Sequence, residues 1–393
     1  MKRVLLLFFA FCVLVILALL PLPIPPYLDF QVIYHADLGL LRGISIYDHA
    51  DQVNMIAQLA NVPPEQVYVL PFPYPPWYAL AALPLALLPI QIAARVWFEI
   101  TLLLLLVSVG LLTQGWPTIK RVWAGLAATF FLPVIGTLLV GQYVMPVLFG
   151  AALWIYAARK ENAALTTLAS ALLTFKPHFG ILILLAGMIH LFSRRDDFGR
   201  KALTHILAAG IILFALGFLA DSAWPINYIH SLLAFSKDSG VASCGLCASL
   251  PVELVSLFSG ESSLAPAPLI GLVILIALCA WLVVSRRSIF KDSYTIITTA
   301  ILVTLLSSPY LLNYDFVLLL IPFLFLLEKT RTRLEWSLIA AAYLIPLIAL
   351  GIWGRQGNIG FSLSAIILLI LVYRNTRALD VSPRAAYNPT TNQ

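Results

Sequence analysis

The chain has 393 residues, of which 61% are hydrophobic and only 11% are charged. Soluble domains usually carry charge on about a quarter of their residues. This composition therefore excludes an ordinary soluble protein and indicates a polytopic integral membrane protein. The formal net charge of +6 comes from scattered basic pairs and not from one basic face, so it predicts no nucleic-acid partner.

Apolar segments and basic clusters together predict the topology. The first segment, residues 4–22, lacks a small-residue cleavage site before Pro21, so we interpret it as a retained span. Most of the 24 lysines and arginines fall in short connections such as Lys120–Arg121, Arg194–Arg195 and Arg286–Arg287. The positive-inside rule places these connections and both termini in the cytoplasm. The pattern predicts about twelve transmembrane helices, at residues 4–22, 92–113, 122–140, 144–158, 163–176, 178–193, 202–220, 266–284, 293–308, 315–327, 335–353 and 359–373.

The predicted fold is an all-α polytopic membrane protein with one transmembrane domain, residues 1–373, and a polar cytoplasmic tail, residues 374–393. Two connections on the outer side are large, residues 23–91 and 221–265. Within the first, the apolar segment 75–89 is too short to span, so it is predicted as an interfacial helix. The large outer loops favour a function at the outer face of the membrane.

The stretch DFQVIYHADLGLLRGISIYD, residues 29–48, follows the first span. Its apolar residues recur at helical spacing, namely Phe30, Ile33, Tyr34, Leu38 and Leu41. Gln31, His35 and Arg42 lie off this face, and Gly43 is placed to end the helix. The pattern predicts a helix lying in the membrane interface. Asp29 at its start has two interpretations, a helix N-cap or a general base toward a sugar hydroxyl.

Lys176 lies between two apolar runs and directly precedes the helix breaker Pro177. A lysine within a span is costly and predicts a function, although it could also extend to the outer interface. An anionic lipid phosphate is a natural partner for Lys176 and for His178. We predict that Asp29, Lys176 and Asn313 open onto one cavity facing outward, because all three lie at interruptions that the distribution of positive charge places on the same side.

A second polar interruption, SSPYLLNYD at residues 307–315, matches the one at Lys176. Asn313, Tyr314 and Asp315 could each contact a sugar or phosphate, while helix capping is an equal explanation for Asn313 and Asp315. Gln142 closes an outer turn and is either structural or part of the substrate site. Cys244 and Cys247 could form a local disulfide. The histidine spacing predicts no metal site, and no nucleotide-binding motif indicates a cofactor.

Five segments in this order resemble glycosyltransferase family 87, whose members are GT-C-type membrane enzymes. They are the stretch at 29–48, FPYPPWYALAALPLALLP at 72–89, GQYVMPVLFGAAL at 141–153, ALLTFKPHFGILILL at 171–185 and SPYLLNYDFVLLLIP at 308–322. The family includes mannosyltransferases that use polyprenyl-phosphate-mannose. Its pattern often has a histidine in the last segment, where this chain has Asn313 and Tyr314.

The resemblance implies a GT-C-like fold and transfer of a sugar, mannose or another hexose or pentose, to a lipid or glycan acceptor. The donor is a polyprenyl-phosphate-linked sugar, the site faces outward from the cell membrane, and the reaction inverts the anomeric centre. Asp29 is the expected general base, and Lys176, His178 and Arg42 are expected to bind the donor phosphate. The remaining expected substrate-binding residues are Tyr34, His35, Asp48, Tyr74, Gln142, Asn313 and Tyr314.

The alternative is a transporter or flippase for a lipid-linked sugar. Such proteins usually show internal repeats and broken helices near the bilayer midplane. This chain shows no repeat, and its polar interruptions collect toward one predicted face. The enzyme is therefore the favoured prediction, and dependence of sugar transfer on Asp29 distinguishes the two.

Overall fold

The computed structural model describes residues 28–238, 247–259, 265–285 and 292–381. Regular structure within these ranges is entirely helical, which confirms the predicted all-α class. The first predicted span, residues 4–22, lies outside the described residues, as do residues 382–393.

The first large connection contains three α-helices: α1 Leu28–Leu40, α2 His49–Ala60 and α3 Pro76–Ala82. Short 3₁₀ turns follow α2 and α3, at Pro64–Gln66 and Leu83–Leu87. The later helices are α4 Ile90–Leu112, α5 Thr118–Thr129, α6 Leu132–Val140, α7 Val144–Arg159, α8 Ala163–Leu173, α9 Pro177–Arg194, α10 Asp197–Ala220, α11 Trp224–Asp238, α12 Leu250–Ser259, α13 Ala267–Ser285, α14 Ser293–Ser307, α15 Leu320–Lys329, α16 Arg333–Trp353 and α17 Ile359–Val381. Two further 3₁₀ turns, Asn313–Leu319 and Gly354–Asn358, precede α15 and α17.

Five stretches among the described residues are long and apolar enough to cross a membrane. They are α4, α9, α10, residues Ala267–Val284 of α13, and the joined stretch Arg333–Thr376. A sixth arises if α5 and α6, which meet at a bend of 58°, form one broken span. The architecture is therefore that of a membrane-embedded helical protein. The finer count of twelve spans stays a prediction.

The shorter apolar helices α7 and α14 form the centre of the bundle. Almost every residue of both is buried, which is the pattern of a helix surrounded by protein. Helix α9 crosses α7 closely, since a Cβ added at Gly187 would lie 2.4 Å from the Trp154 ring. These helices are too short for a straight span, and neighbouring helices cover them instead.

Helix α1 differs from its prediction as an interfacial helix with one apolar face. Phe30, Val32, Ile33 and Tyr34 are all buried, although at 3.6 residues per turn they point to different sides of the helix. The helix packs against α3, α4, α6 and the turn Leu83–Leu87. The single apolar face is therefore wrong, because the rest of the first connection folds around α1, whereas the interfacial placement stays a prediction. Gly43 adopts φ +77° in the turn after the helix, as its predicted position requires.

Helix α17 runs to Val381 and so extends past the predicted boundary between domain and tail at residue 374. The described part of the tail is thus a continuation of a helix. Charged residues can continue a helix beyond its apolar part, and the boundary between domain and tail stays a prediction.

Candidate active site

Asp29 lies in the first turn of α1 and is half-buried. Its Oδ2 accepts a hydrogen bond from Gln142 Nε2 at 2.9 Å. Gln142 is placed by the end of α6, where Gly141 adopts φ +70° and turns the chain. The other amide atom of Gln142, Oε1, accepts from the Tyr143 backbone N–H at 2.7 Å. The amide is thereby oriented so that it donates to the carboxylate.

The surroundings of Asp29 act on its pKa in opposite directions. Burial has the largest effect and raises the pKa above its usual value of 3.8. The positive charge of Lys176 and hydrogen bonds from the side chains of Tyr314 and Gln142 lower it. Asp29 is therefore partly accessible yet largely desolvated, with a nearby positive charge that stabilises its ionised form. Helix α1 begins at Leu28, so Asp29 lies within its first turn, and the contacts of its side chain run to other helices.

Lys176 forms a buried ion pair with Asp315. The distance from Lys176 Nζ to Asp315 Oδ1 is 2.6 Å, and the two side chains are 4% and 1% exposed. Asp315 Oδ2 also accepts from the Leu312 backbone N–H at 2.9 Å. The rings of Phe179 and Tyr314 lie 4.7 and 5.4 Å from the ammonium. Lys176 is thus held inside the protein and does not extend to a membrane surface.

Aromatic side chains form one wall of this centre. The Tyr143 ring lies 4.9 Å from the ring of Tyr74 and 5.4 Å from that of Tyr78. The Tyr143 hydroxyl accepts from the Ile33 backbone N–H at 3.2 Å and so ties the wall to α1. Tyr34 is also buried, and its hydroxyl donates to the Leu88 carbonyl at 2.8 Å.

Three other expected site residues keep accessible surface. His35 is half-buried on α1, and burial lowers its pKa to about 4, so its imidazole is neutral at pH 7. His178, in the first turn of α9, is exposed, with its ring 6.3 Å from that of Tyr310. Asn313 is exposed beside α6, where its Oδ1 lies 3.9 Å from a Cβ added at Gly136. These side chains can contact a ligand without rearrangement.

Arg42 and Asp48 lie away from this centre. Both are exposed beyond the C-terminal end of α1, roughly 16 Å along the helix from Asp29. Asp48 is the N-cap of α2 and accepts from the Asp51 backbone N–H at 3.0 Å. The structure does not bring these two residues next to Asp29, and their predicted contacts with donor or substrate stay predictions.

Two buried acids have environments that the sequence analysis did not predict. Asp315 is predicted as a cap or ligand, whereas in the structure it is the partner of Lys176. The signal was available, because opposite charges occurred in two apolar hairpins predicted to reach the same depth. Asp37 is 1% exposed, and neither carboxylate oxygen has a hydrogen-bond partner within the described structure. Burial raises its pKa to about 9, so Asp37 is protonated at pH 7.

The remaining candidates for ligation or redox chemistry are few. The described residues contain no group of three or more His, Cys, Asp or Glu that could hold a metal ion. Cys247 is disulfide-bonded, whereas Cys244 lies outside the described residues.

Asp29 is a half-buried carboxylate in a membrane-embedded helical protein, and a group of this kind can accept a proton from a hydroxyl. A family model for glycosyltransferase family 87 matches residues 72–309, more than half of the chain, and the chain belongs to this family. It is therefore a glycosyltransferase, which confirms the predicted family and enzyme class over the transporter alternative. No curated protein matches the chain.

The matched region contains Tyr74, Gln142, Lys176 and His178. Asp29 precedes it, and Asn313 and Tyr314 follow it by a few residues. The folded chain nevertheless joins both flanks to the matched region, through the bond from Gln142 to Asp29 and the pair of Lys176 with Asp315.

Proposed function

We propose that the enzyme transfers a sugar from a polyprenyl-phosphate donor to a lipid or glycan acceptor, with Asp29 as general base. The observation that carries this proposal is the environment of Asp29: half-buried, of raised pKa, and oriented by Gln142 and Tyr314 beside Lys176. A base whose pKa is raised toward the working pH accepts a proton more effectively than an ordinary aspartate.

The proposed reaction balances with a single base. The acceptor hydroxyl oxygen attacks the anomeric carbon while Asp29 takes the hydroxyl proton. The bond from the anomeric carbon to the donor phosphate oxygen breaks on the opposite side, so the configuration inverts. The phosphate leaves as an anion with the electron pair and needs no proton. The paired acids that glycosidases use are therefore unnecessary here.

The donor phosphate is proposed to bind near Lys176. The charge of Lys176 is already balanced by Asp315, so a phosphate would share the ammonium and draw on other donors as well. His178 and Asn313 are exposed and supply such donors without moving. Mannose or another hexose or pentose is the proposed sugar, on the family resemblance of the surrounding segments.

The proposed location is the cell membrane, with both termini in the cytoplasm and the site facing outward. The distribution of lysine and arginine supports this orientation. The structure adds that the two large predicted outer loops touch each other, since Ser45 donates a hydrogen bond to Asp221. Two loops in direct contact lie on the same side of the membrane.

The decisive experiment is the Asp29→Asn variant, assayed with a polyprenyl-phosphate sugar in proteoliposomes. Asparagine keeps an oxygen that can accept the Gln142 bond and is a good residue at a helix start, so the fold is retained. Loss of the base is expected to lower the transfer rate by about 10²–10⁴-fold. Asp51→Asn, an exposed acid of the same loop, is the matched control and keeps its activity. Near-normal turnover in Asp29→Asn would show that Asp29 is not the general base and has a structural role only.

A further inference from the structure

An apolar groove lies between α5, α15 and α16. Its volume is about 370 Å³, and its lining is apolar except for Tyr343. The Tyr343 hydroxyl donates to the Ala127 carbonyl at 2.7 Å, so this polar atom is satisfied within the wall. Three small residues of α5, Ala124, Ala127 and Ala128, form an alanine stripe that leaves an open space. Larger side chains on α15 and α16 enclose this space, among them Phe323, Leu327 and Trp336.

The groove has a basic rim at one end. Residues three or four apart share a helix face. Lys120 therefore lies on the groove-facing side of α5, one turn before Ala124, and Arg333 lies on the groove-facing side of α16, one turn before Trp336. Helix α15 ends at Lys329 at the same end of the groove. Lys120 and Arg333 are exposed and Lys329 is half-buried.

Two acids near the rim offset only part of this charge. Glu335 accepts from the Arg331 and Thr332 backbone N–H groups and so caps the start of α16. Glu328 is exposed in the last turn of α15. The basic residues of the rim outnumber these two acids, so its net charge is positive; they are Lys120, Lys329, Arg331 and Arg333. An apolar groove with a positive rim complements an anionic lipid, since basic pockets between membrane helices bind anionic head groups.

We propose that this groove binds an anionic phospholipid, with its acyl chains along the alanine stripe and its phosphate at Lys120 and Arg333. The donor lipid fits the groove less well. The opposite end of the groove, at Leu320, directly follows the 3₁₀ turn that carries Asp315. A donor phosphate at Lys176 would therefore lie nearer that opposite end, beyond the groove lining, and would leave the basic rim unused.

The test compares phosphatidylglycerol with phosphatidylcholine of the same acyl chains, added to the full-length protein in detergent. Native mass spectrometry counts bound lipid, and the melting temperature reports stabilisation by ligand. We expect phosphatidylglycerol to be retained preferentially. Lys120→Glu/Arg333→Glu is expected to weaken its binding about tenfold or more. Ala127→Trp, which fills the groove from an exposed position, is expected to remove binding of both lipids.

The matched control is Lys160→Glu/Lys201→Glu, which makes the same charge change at exposed positions outside the groove. It is expected to leave the preference for phosphatidylglycerol unchanged. Equal weakening in the control, equal affinity for the two lipids, or displacement of phosphatidylglycerol by polyprenyl phosphate would each overturn the proposal. These readouts do not involve sugar transfer, so they are independent of the role of Asp29.

Discussion

The ion pair of Lys176 and Asp315 is the main electrostatic feature of the site. Two charges buried together cost desolvation energy that their attraction must offset, so such pairs add little stability by themselves. Their position next to Asp29 gives the pair another effect, because the positive charge of Lys176 lowers the pKa of Asp29 while Asp315 raises it. The pair supplies a positive charge close to the base without leaving an isolated charge in the bundle.

Substitutions in this pair can separate structure from donor binding. Lys176→Met leaves Asp315 buried without a partner, and is expected to lower the free energy of unfolding by about 3–5 kcal/mol. Lys176→Met/Asp315→Asn removes both charges and is expected to recover most of that loss, seen in the melting temperature. If Lys176 binds the donor phosphate, the double variant raises the donor KM more than it lowers kcat. An unchanged donor KM would leave Lys176 with a structural role only.

The pH dependence of activity tests the environment of Asp29. Its pKa is raised above 3.8 chiefly by burial. A base must be unprotonated, so kcat/KM is expected to fall as the pH drops through this raised pKa, at a higher pH than for an ordinary aspartate. Tyr314→Phe removes a hydrogen bond that lowers the pKa, and is expected to move the acid limb to still higher pH. An acid limb that does not move with Tyr314→Phe would show that another group titrates.

At the scale of elements, the end of α6 determines where Gln142 lies. Gly141 adopts φ +70°, its carbonyl accepts from Trp97 Nε1 at 2.9 Å, and the next residue is Gln142. A side chain in this left-handed conformation costs roughly 1–2 kcal/mol. The orientation of the amide that donates to Asp29 therefore depends on a glycine at this turn.

Gly141→Ala is expected to lower the free energy of unfolding by about 1–2 kcal/mol, measured by thermal unfolding. Displacement of Gln142 is expected to lower kcat by up to about 10²-fold. Gly125→Ala, inside α5 where an added Cβ meets nothing within 4 Å, serves as the control. It is expected to raise stability by about 0.5–1 kcal/mol and keep kcat. If the Gly141→Ala variant keeps the wild-type kcat, the conformation of this turn does not affect catalysis.

The helices were largely predictable from the sequence, because long apolar segments and charged connections depend on local composition. The predicted span at 92–113 matches α4, and that at 178–193 matches α9. The placement of α1 was not predictable in this way. The spacing of apolar residues predicts which face of a helix is apolar. The burial of Asp37, by contrast, depends on contacts with helices that come later in the sequence.

The site was predictable in part for the same reason. Asp29 and Lys176 could be singled out because charges in apolar surroundings are costly. The pairing of Lys176 with Asp315 joins residues far apart in the chain, and one sequence alone does not report such contacts. The bond from Gln142 to Asp29 likewise depends on how α6 meets α1.

At the scale of the whole molecule, the two large predicted outer loops form one connected layer. Asp221 accepts hydrogen bonds from Ser45 and from Asn227 Nδ2, the latter at 3.1 Å to Oδ1. The rings of Tyr47 and Tyr228 lie 5.8 Å apart. Helix α1, which carries Asp29, begins in the same layer. The side of the membrane on which this layer lies therefore decides which side the site faces.

The proposed orientation predicts which positions an impermeant thiol reagent reaches in intact cells. Asn54→Cys on α2 and Lys160→Cys between α7 and α8 both replace exposed side chains, one in the first loop and one in a basic connection. In a Cys12→Ser/Cys279→Ser background, a membrane-impermeant maleimide is expected to label the cysteine at position 54 in intact cells. The cysteine at position 160 is expected to react only after permeabilisation, because basic connections stay in the cytoplasm. Labelling in the reverse order would place Asp29 on the cytoplasmic side, where the donor and acceptor would have to be found instead.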